Sequence, residues 1–163
     1  MYQKRRVHMN TQKLSHIISK AKDICIRSGG RLTEKRKHVL ERLLESNTPL
    51  SAYEITDAYN KVSEKSMPTM SVYRILEFLE AESLVHKLSS ANKYVACSHI
   101  LGGCSQEITQ FLICGKCQST KEIAVSKGII DELGKLVDKV GYKLTNSQLE
   151  LQCLCNNCSA STA

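Results

Sequence analysis

The chain has 163 residues, and its 42% hydrophobic and 24% charged content fits a soluble globular protein of one ordinary or two small domains. No apolar run approaches a membrane span, and residues 1–25 lack the apolar core of a secretory signal, so a cytoplasmic protein with reduced thiols is expected. Residues 1–50 hold 12 Lys and Arg against 4 Asp and Glu, whereas the remainder holds 11 against 12. This basic first third indicates an anionic partner, and nucleic acid is the first candidate. The alternative is a basic face that is solvated and binds no partner.

Four helices are predicted in the first half of the chain. Apolar residues recur at helical spacing over 13–28, and this first helix ends at Gly29-Gly30. Thr33 caps a second helix, and Ser51 with Glu54 makes a capping box for a third. The fourth helix follows the next turn, and its inward residues are Val72, Ile75, Leu76 and Leu79.

The third and fourth helices predict a DNA-binding motif. Two short helices joined by a turn, the second with an arginine near its start, are typical of a helix-turn-helix. The inward stripe of the fourth helix leaves Tyr73 and Arg74 on other faces. Residues 84–87 and 93–96 predict a β-hairpin, and a hairpin directly after a recognition helix is a wing.

The second half of the chain predicts a small α+β unit. Residues 107–114 and 119–124 are strand-like, and the alternation over 148–155 makes Cys153 a small core residue rather than a ligand. A helix that ends at Gly141 lies between them. Its apolar stripe consists of Ile129, Ile130, Leu133, Leu136, Val137 and Val140.

Two C-x-x-C pairs, Cys114 with Cys117 and Cys155 with Cys158, carry the strongest chemical signal. In each pair one tight turn presents two sulfurs to one ion, and four thiolates close the tetrahedral shell of a structural Zn²⁺. The 37 residues between the pairs exceed the spacer of a simple zinc ribbon. We therefore expect a small domain between the pairs, with its two ends joined by the metal site. Two disulfides or four free thiols are the alternatives.

The order of these motifs resembles that of the ferric uptake regulator family over about residues 20–158. The shared motifs are Arg31-Leu32-Thr33, Ser51-Ala52-Tyr53-Glu54, Val72-Tyr73-Arg74 with Leu76, Leu84-Val85-His86-Lys87, and the two cysteine pairs. The zinc-responsive branch is the most similar, because of Ala52-Tyr53, Val85-His86-Lys87 and Val95-Ala96-Cys97. The iron branch carries a histidine-rich run before the first cysteine pair, where this chain has Glu107–Ile113 without histidine.

The resemblance implies an α+β homodimer with an N-terminal winged-helix DNA-binding domain and a C-terminal α+β dimerisation domain. It also implies two Zn²⁺ per subunit, one structural and one regulatory. In the zinc branch the regulatory site resembles His86, Cys97, a histidine and Glu122, a donor set that suits Zn²⁺. Glu107 occupies the place of that histidine. The candidates for the fourth ligand are, in order, His99, Glu107 and Cys104.

The expected domain boundaries and DNA contacts follow from the motifs and the resemblance together. The domains are a disordered basic arm at 1–12, the winged-helix domain at 13–97, a hinge at 98–106, the zinc-stabilised dimerisation domain at 107–158 and a tail at 159–163. Arg74 is expected at a base edge in the major groove and Tyr53 at a base or phosphate, with Tyr73 on the same helix as Arg74. The expected phosphate contacts are Lys35, Arg36, Lys87 and Lys93.

The expected function is that of a zinc-responsive transcriptional repressor of zinc-uptake genes, with Zn²⁺ as corepressor and double-stranded DNA as partner. An iron or peroxide sensor of the same family is the first alternative, and the missing histidine run and Cys97 argue against it. The basic first third argues against a zinc-ribbon interaction module without a DNA role. An enzyme is not expected, because a four-cysteine site leaves no open position on the metal and the sequence offers no nucleophile–base pair.

Overall fold

The computed structural model describes residues 11–63, 65–102 and 108–160. The chain divides into two compact units, the first ending at Gly102 and the second starting at Gly103. Most of the predicted basic arm lies outside the described residues, as do the candidate ligands Cys104 and Glu107. None of the helices in the described ranges is long and apolar enough to cross a membrane.

The described part of the first unit consists of helices and one antiparallel hairpin. The elements are α1 (Thr11–Arg27), α2 (Glu34–Glu45), α3 (Ala52–Val62), α4 (Thr69–Ala81), β1 (Val85–Leu88) and β2 (Lys93–Ala96). The hairpin register sets Val85 opposite Ala96. Helix α1 begins at Thr11, so residues 11 and 12 are helical where a disordered arm was expected, and it ends one residue before the predicted limit.

The predicted caps set the helix ends of this unit. Gly29 has φ +81°, the left-handed conformation that stops a helix and that glycine adopts at little cost. The Thr33 hydroxyl oxygen accepts from the Arg36 N–H at 3.5 Å. The Ser51 hydroxyl oxygen accepts from the Glu54 N–H at 3.2 Å, and the Glu54 carboxylate accepts from the Ser51 N–H at 2.7 Å. The capping box predicted from the sequence is therefore confirmed.

Helix α4 crosses the core of the first unit. All of its residues that were predicted to point inward are buried, and they pack with residues of α1, α2, α3 and the hairpin: Val72, Ile75, Leu76 and Leu79. The turn before α4 is held by Asn60, whose side-chain oxygen accepts from the Met67 N–H at 2.7 Å while its amide donates to the Met67 carbonyl at 3.3 Å. The core and this turn together set which face of α4 points outward.

The second unit is a three-stranded sheet with two helices in its described part. The elements are β3 (Ile108–Cys114), β4 (Thr120–Val125), α5 (Lys127–Lys139), β5 (Glu150–Cys153) and α6 (Asn156–Ser159). The strand order is β4-β3-β5, with β3 antiparallel to β4 and parallel to β5. Buried Gln110 donates to the Ser147 carbonyl at 2.7 Å and accepts from the Leu149 N–H, which fixes the segment leading into β5.

The apolar stripe of α5 is largely uncovered within the chain. Ile130 is buried, whereas Leu136 and Val140 are 55% and 70% exposed. Gly141 follows the C-cap residue Val140 and has φ +82°, as the predicted stop requires.

Candidate metal centre and nucleic-acid interface

The turn between β3 and β4 brings the first pair of cysteines together. Strand β3 ends at Cys114, whose N–H donates to the Ser119 carbonyl and whose carbonyl accepts from the Gln118 N–H, both at 2.9 Å. Gln118 has φ +60°, so the chain reverses within a few residues. The reversal returns Cys117 to the side of Cys114, as the C-x-x-C spacing predicts.

The second pair of cysteines lies at the end of β5 and the start of α6. Cys155 is the N-cap residue of α6, and its carbonyl accepts from the Cys158 N–H at 2.9 Å. The Cys155 N–H points at the Cys114 sulfur at 3.4 Å. Because β5 runs parallel to β3 with Cys153 opposite Cys114, the sheet itself delivers the second pair to the first.

The four sulfur atoms form one cluster whose dimensions fit a zinc ion. All four lie within 4.8 Å of one another, and the sulfurs of Cys117 and Cys155 are 3.8 Å apart. A tetrahedral ion with Zn–S bonds of about 2.3 Å sets its sulfurs about 3.8 Å apart. All seven cysteines in the described ranges are free thiols.

The thiols of Cys114 and Cys158 in the cluster differ in the direction in which their pKa values are shifted. The backbone N–H groups of Cys117 and Cys155 lower the pKa of Cys114 to about 6. The Cys155 sulfur, together with burial and the other sulfurs, raises the pKa of Cys158 to about 12. Four thiolates at this spacing repel one another strongly unless a cation lies among them, and a divalent ion meets that need.

Two further cysteines lie outside the cluster. Cys25 is fully buried in the core of the first unit, and burial raises the pKa of its thiol. Cys153 is half-buried, with its sulfur 3.3 Å from the Leu151 carbonyl, so it is less buried than a core residue. The cluster contains neither of them, and the sequence analysis had already set Cys153 apart from the ligands.

The hairpin of the first unit carries two of the predicted regulatory ligands. His86 lies in β1 opposite Val95, and the Cys97 N–H donates to the Leu84 carbonyl at 2.9 Å, which continues the β1–β2 register. Side chains two residues apart share a face, so His86 and Cys97 are diagonal neighbours on one face of the hairpin. The third predicted ligand, Glu122, lies in the second unit on β4 opposite Phe111. His99 lies in the turn after β2, where its carbonyl accepts from the Gly102 N–H.

The predicted DNA-reading residues lie on exposed parts of the helix-turn-helix. Arg74 is exposed on α4, and Tyr53, at the start of α3, is 67% exposed. The rings of Tyr53 and Tyr73 meet edge to face at 6.4 Å between centroids. Exposed Met70, which the sequence analysis did not single out, lies on α4 one helical turn before Arg74, and the same apolar periodicity that assigned the inward face would have revealed it.

The predicted phosphate-binding side chains differ in their contacts. Lys35 is exposed on α2. The Arg36 guanidinium lies over the Phe78 ring at 3.4 Å and donates to the Arg31 carbonyl at 2.6 Å, so it packs α2 against α4. The remaining two side chains belong to the wing: Lys93 pairs with Glu54 at 3.1 Å, and the Lys87 ammonium lies 5.9 Å from the centre of the Tyr94 ring.

Fold and site together define a class of protein: a winged-helix unit followed by an α+β unit that carries a cluster of four cysteine sulfurs. The ferric uptake regulator family model matches residues 27–152 of this chain. The chain belongs to the ferric uptake regulator family.

The similar proteins include regulators of zinc uptake. The zinc uptake regulation protein of Escherichia coli K12 is 31% identical over 150 residues, which cover 92% of this chain and 85% of that protein. A solved zinc uptake regulator complexed with zinc and DNA is 29% identical, has a TM-score of 0.79, and is matched over 94% of this chain and 99% of its own. The crystal structure of holo XcZur is 32% identical with a TM-score of 0.73, over 90% and 99% of the two chains.

Proposed function

We propose that this protein is a zinc-responsive, DNA-binding transcriptional repressor of zinc-uptake genes that acts as a homodimer with Zn²⁺ as corepressor. The observation that carries the proposal is one chain that combines a winged helix, with Arg74 exposed, and a four-sulfur cluster of zinc dimensions. Two of the similar proteins support it: the Escherichia coli protein is named as a zinc uptake regulation protein, and a similar zinc uptake regulator was solved with zinc and DNA.

The DNA-binding surface is the outer face of α3, α4 and the wing. Helix α4 enters the major groove, where the Arg74 guanidinium donates to a base edge and Tyr53 contacts a base or phosphate. Lys35, Lys87 and Lys93 bind phosphates, which supplies affinity and orientation rather than sequence preference. Arg36 adds to the positive electrostatic potential of this surface, while its guanidinium packs on Phe78.

The structural metal site is formed by Cys114, Cys117, Cys155 and Cys158. Four thiolates fill the tetrahedral shell, so bound Zn²⁺ supplies folding free energy and offers no position for a substrate. The cluster joins the β3–β4 turn to the end of β5, and it therefore closes the sheet of the second unit at one end.

The regulatory metal site uses His86 and Cys97 of the hairpin together with Glu122 of β4. One imidazole, one thiolate and one carboxylate suit Zn²⁺, and a fourth donor completes the shell. His99 is the first candidate for that donor, since it follows Cys97 by two residues and a neutral imidazole keeps the site less anionic. Glu107 and Cys104 are the other candidates.

Regulation follows from the placement of these ligands on two units. When donors of both units bind one ion, the angle between the units is restrained, and with it the spacing of the two α4 helices in a dimer. Metal and DNA then favour the same conformation, so each raises the affinity for the other by the same factor. The exposed stripe of α5 supplies an apolar surface for the second copy.

The test is a zinc titration of DNA binding by Cys97→Ser protein. Serine does not ionise at neutral pH, so the variant should lose zinc-stimulated binding while it keeps its fold and its structural zinc. Binding is measured by fluorescence anisotropy of a labelled duplex, and bound zinc by elemental analysis after dialysis. Iron in place of zinc tests the iron-sensing alternative in the same assay.

The matched control is Cys153→Ser, which removes a thiol that belongs to neither proposed site and should respond to zinc like the wild type. His99→Ala, Glu107→Ala and Cys104→Ser, each titrated in the same way, identify the fourth donor. A Cys97→Ser protein with the wild-type zinc response would contradict the regulatory site.

A further inference from the structure

Helix α4 carries a stripe of exposed side chains on the face opposite its buried one, and packing of the core does not account for the residues found there. Its buried residues occupy one face, and helical spacing sets Met70, Arg74 and Glu77 together on the opposite face. All three side chains are exposed, and Met70 is 66% exposed. Met67, three residues earlier, is only 1% exposed. Of the two methionines, only Met67 fills the core, so Met70 is open to a different role.

We propose that Met70 is a specificity-determining residue that contacts the C5-methyl group of a thymine near the base read by Arg74. The inference rests on the proposed DNA-binding function and deepens it. It attributes the preference for thymine at one position of the operator to a residue that belongs to neither metal site.

The chemistry of the major groove matches the stripe. The thymine methyl is the apolar group that base pairs present in that groove, while guanine presents two acceptors that suit arginine. Met70 precedes Arg74 by four residues, which is about 6 Å along an α-helix. Stacked bases follow one another at about 3.4 Å, so the two side chains reach bases one or two steps apart. An unbranched thioether adapts its shape readily to a methyl group.

The surroundings of Met70 favour a base edge over a protein surface. Arg74 and Glu77 continue the stripe, so the apolar side chain is flanked by charge and does not belong to a broad apolar patch on this helix. The aromatic pair of Tyr53 and Tyr73 adds two further side chains that contact bases well. The basic first third of the chain supplies the charge that draws DNA to this unit.

The experiment removes one side of the contact at a time, either the thymine methyl group or the Met70 side chain beyond Cβ. A duplex is enriched from a random-sequence library with zinc-loaded wild-type protein, and each thymine is then replaced singly by deoxyuridine. At one thymine the wild type should lose about three- to fivefold in affinity, the scale of one buried methyl group. Met70→Ala should bind the unmodified duplex more weakly by a similar factor and should be indifferent to deoxyuridine at that position. Met70→Leu, which keeps an apolar contact, should retain the sensitivity.

Two controls separate this inference from the function on which it rests. Ile26→Ala trims an exposed apolar side chain on α1 and should reproduce the wild-type deoxyuridine profile. Equal melting temperatures show that the variants are folded. If an enriched duplex gives Met70→Ala the same deoxyuridine profile as the wild type, the inference is overturned and the proposed function stands. If no duplex is enriched, the proposed function fails and the inference fails with it.

Discussion

At the scale of single residues, position rather than residue type decides what each cysteine does. Cys25 is surrounded by the helices of the first unit, where burial raises its pKa and keeps the thiol protonated. Cys114 has nearly the same small exposure, yet backbone N–H groups point at its sulfur and three other sulfurs lie close to it. The first thiol contributes packing, and the second is prepared to bind a cation.

Cys114→Ser should remove the structural zinc and unfold the second unit. Structural zinc contributes on the order of 10 kcal/mol to a small domain, about as much as the whole net stability of such a domain. Zinc content by elemental analysis and thermal melting followed by circular dichroism measure the effect. Cys153→Ser is the control, since it changes a neighbouring thiol on β5 and should keep its zinc. Wild-type zinc content and melting temperature in Cys114→Ser would refute the four-cysteine site.

The adjacent basic residues Lys35 and Arg36 should behave differently when each is changed to alanine. Arg36→Ala loses the contact with Phe78 and the hydrogen bond to Arg31, and its free energy of unfolding should fall by about 1–2 kcal/mol. Lys35→Ala should leave stability within about 0.5 kcal/mol but weaken binding to all DNA sequences and lower the salt slope by about 1. Urea unfolding and anisotropy at several salt concentrations separate the two effects. Equal stability losses would show that Arg36 does not hold α2 against α4.

At the scale of elements, α4 is held at both of its ends by neighbours in sequence. Asn60 binds both backbone groups of Met67 before the helix begins. After the helix, the Leu84 N–H donates to the Leu79 carbonyl at 2.9 Å and the chain enters the wing. The face that α4 turns outward is therefore set by local hydrogen bonds as well as by its buried stripe.

Asn60→Ala should loosen the entry to α4, because it leaves the Met67 N–H without its side-chain acceptor. The expected loss is about 1–3 kcal/mol of stability, since this N–H belongs to a residue that is almost fully buried. Urea unfolding measures it. The neighbouring variant Lys61→Ala removes only an exposed ion pair with Asp57 and should cost less than about 1 kcal/mol. Similar urea midpoints for the two variants would contradict the role given to Asn60.

At the scale of the whole molecule, charge and chemistry are divided between the two units. The basic excess lies in the first 50 residues, which belong to the unit with the helix-turn-helix, while the four-sulfur cluster and the uncovered stripe of α5 belong to the second unit. One unit therefore has the properties needed to bind DNA, and the other has those needed to bind metal and a second copy. The regulatory ligands proposed above come from both units, so zinc binding would be coupled to DNA binding.

The sequence by itself determined most of the helices and strands and the geometry within each cysteine pair, since these depend on short-range patterns. Helical periodicity predicted the buried face of α4, the capping box predicted the start of α3, and each C-x-x-C spacing predicted that its two sulfurs lie close together. Caps, turns and stripes act over a few residues, so their signals survive in a single sequence.

Only the tertiary structure decided which side chains far apart in sequence contact one another. The stacking of Arg36 on Phe78 and the pairing of Lys93 with Glu54 join residues about 40 positions apart, and no local pattern encodes such contacts. The parallel pairing of β3 with β5, which delivers Cys155 to Cys114, likewise depends on the sheet order. Contacts of this kind arise from the packing of whole elements, which no pattern of a few residues specifies.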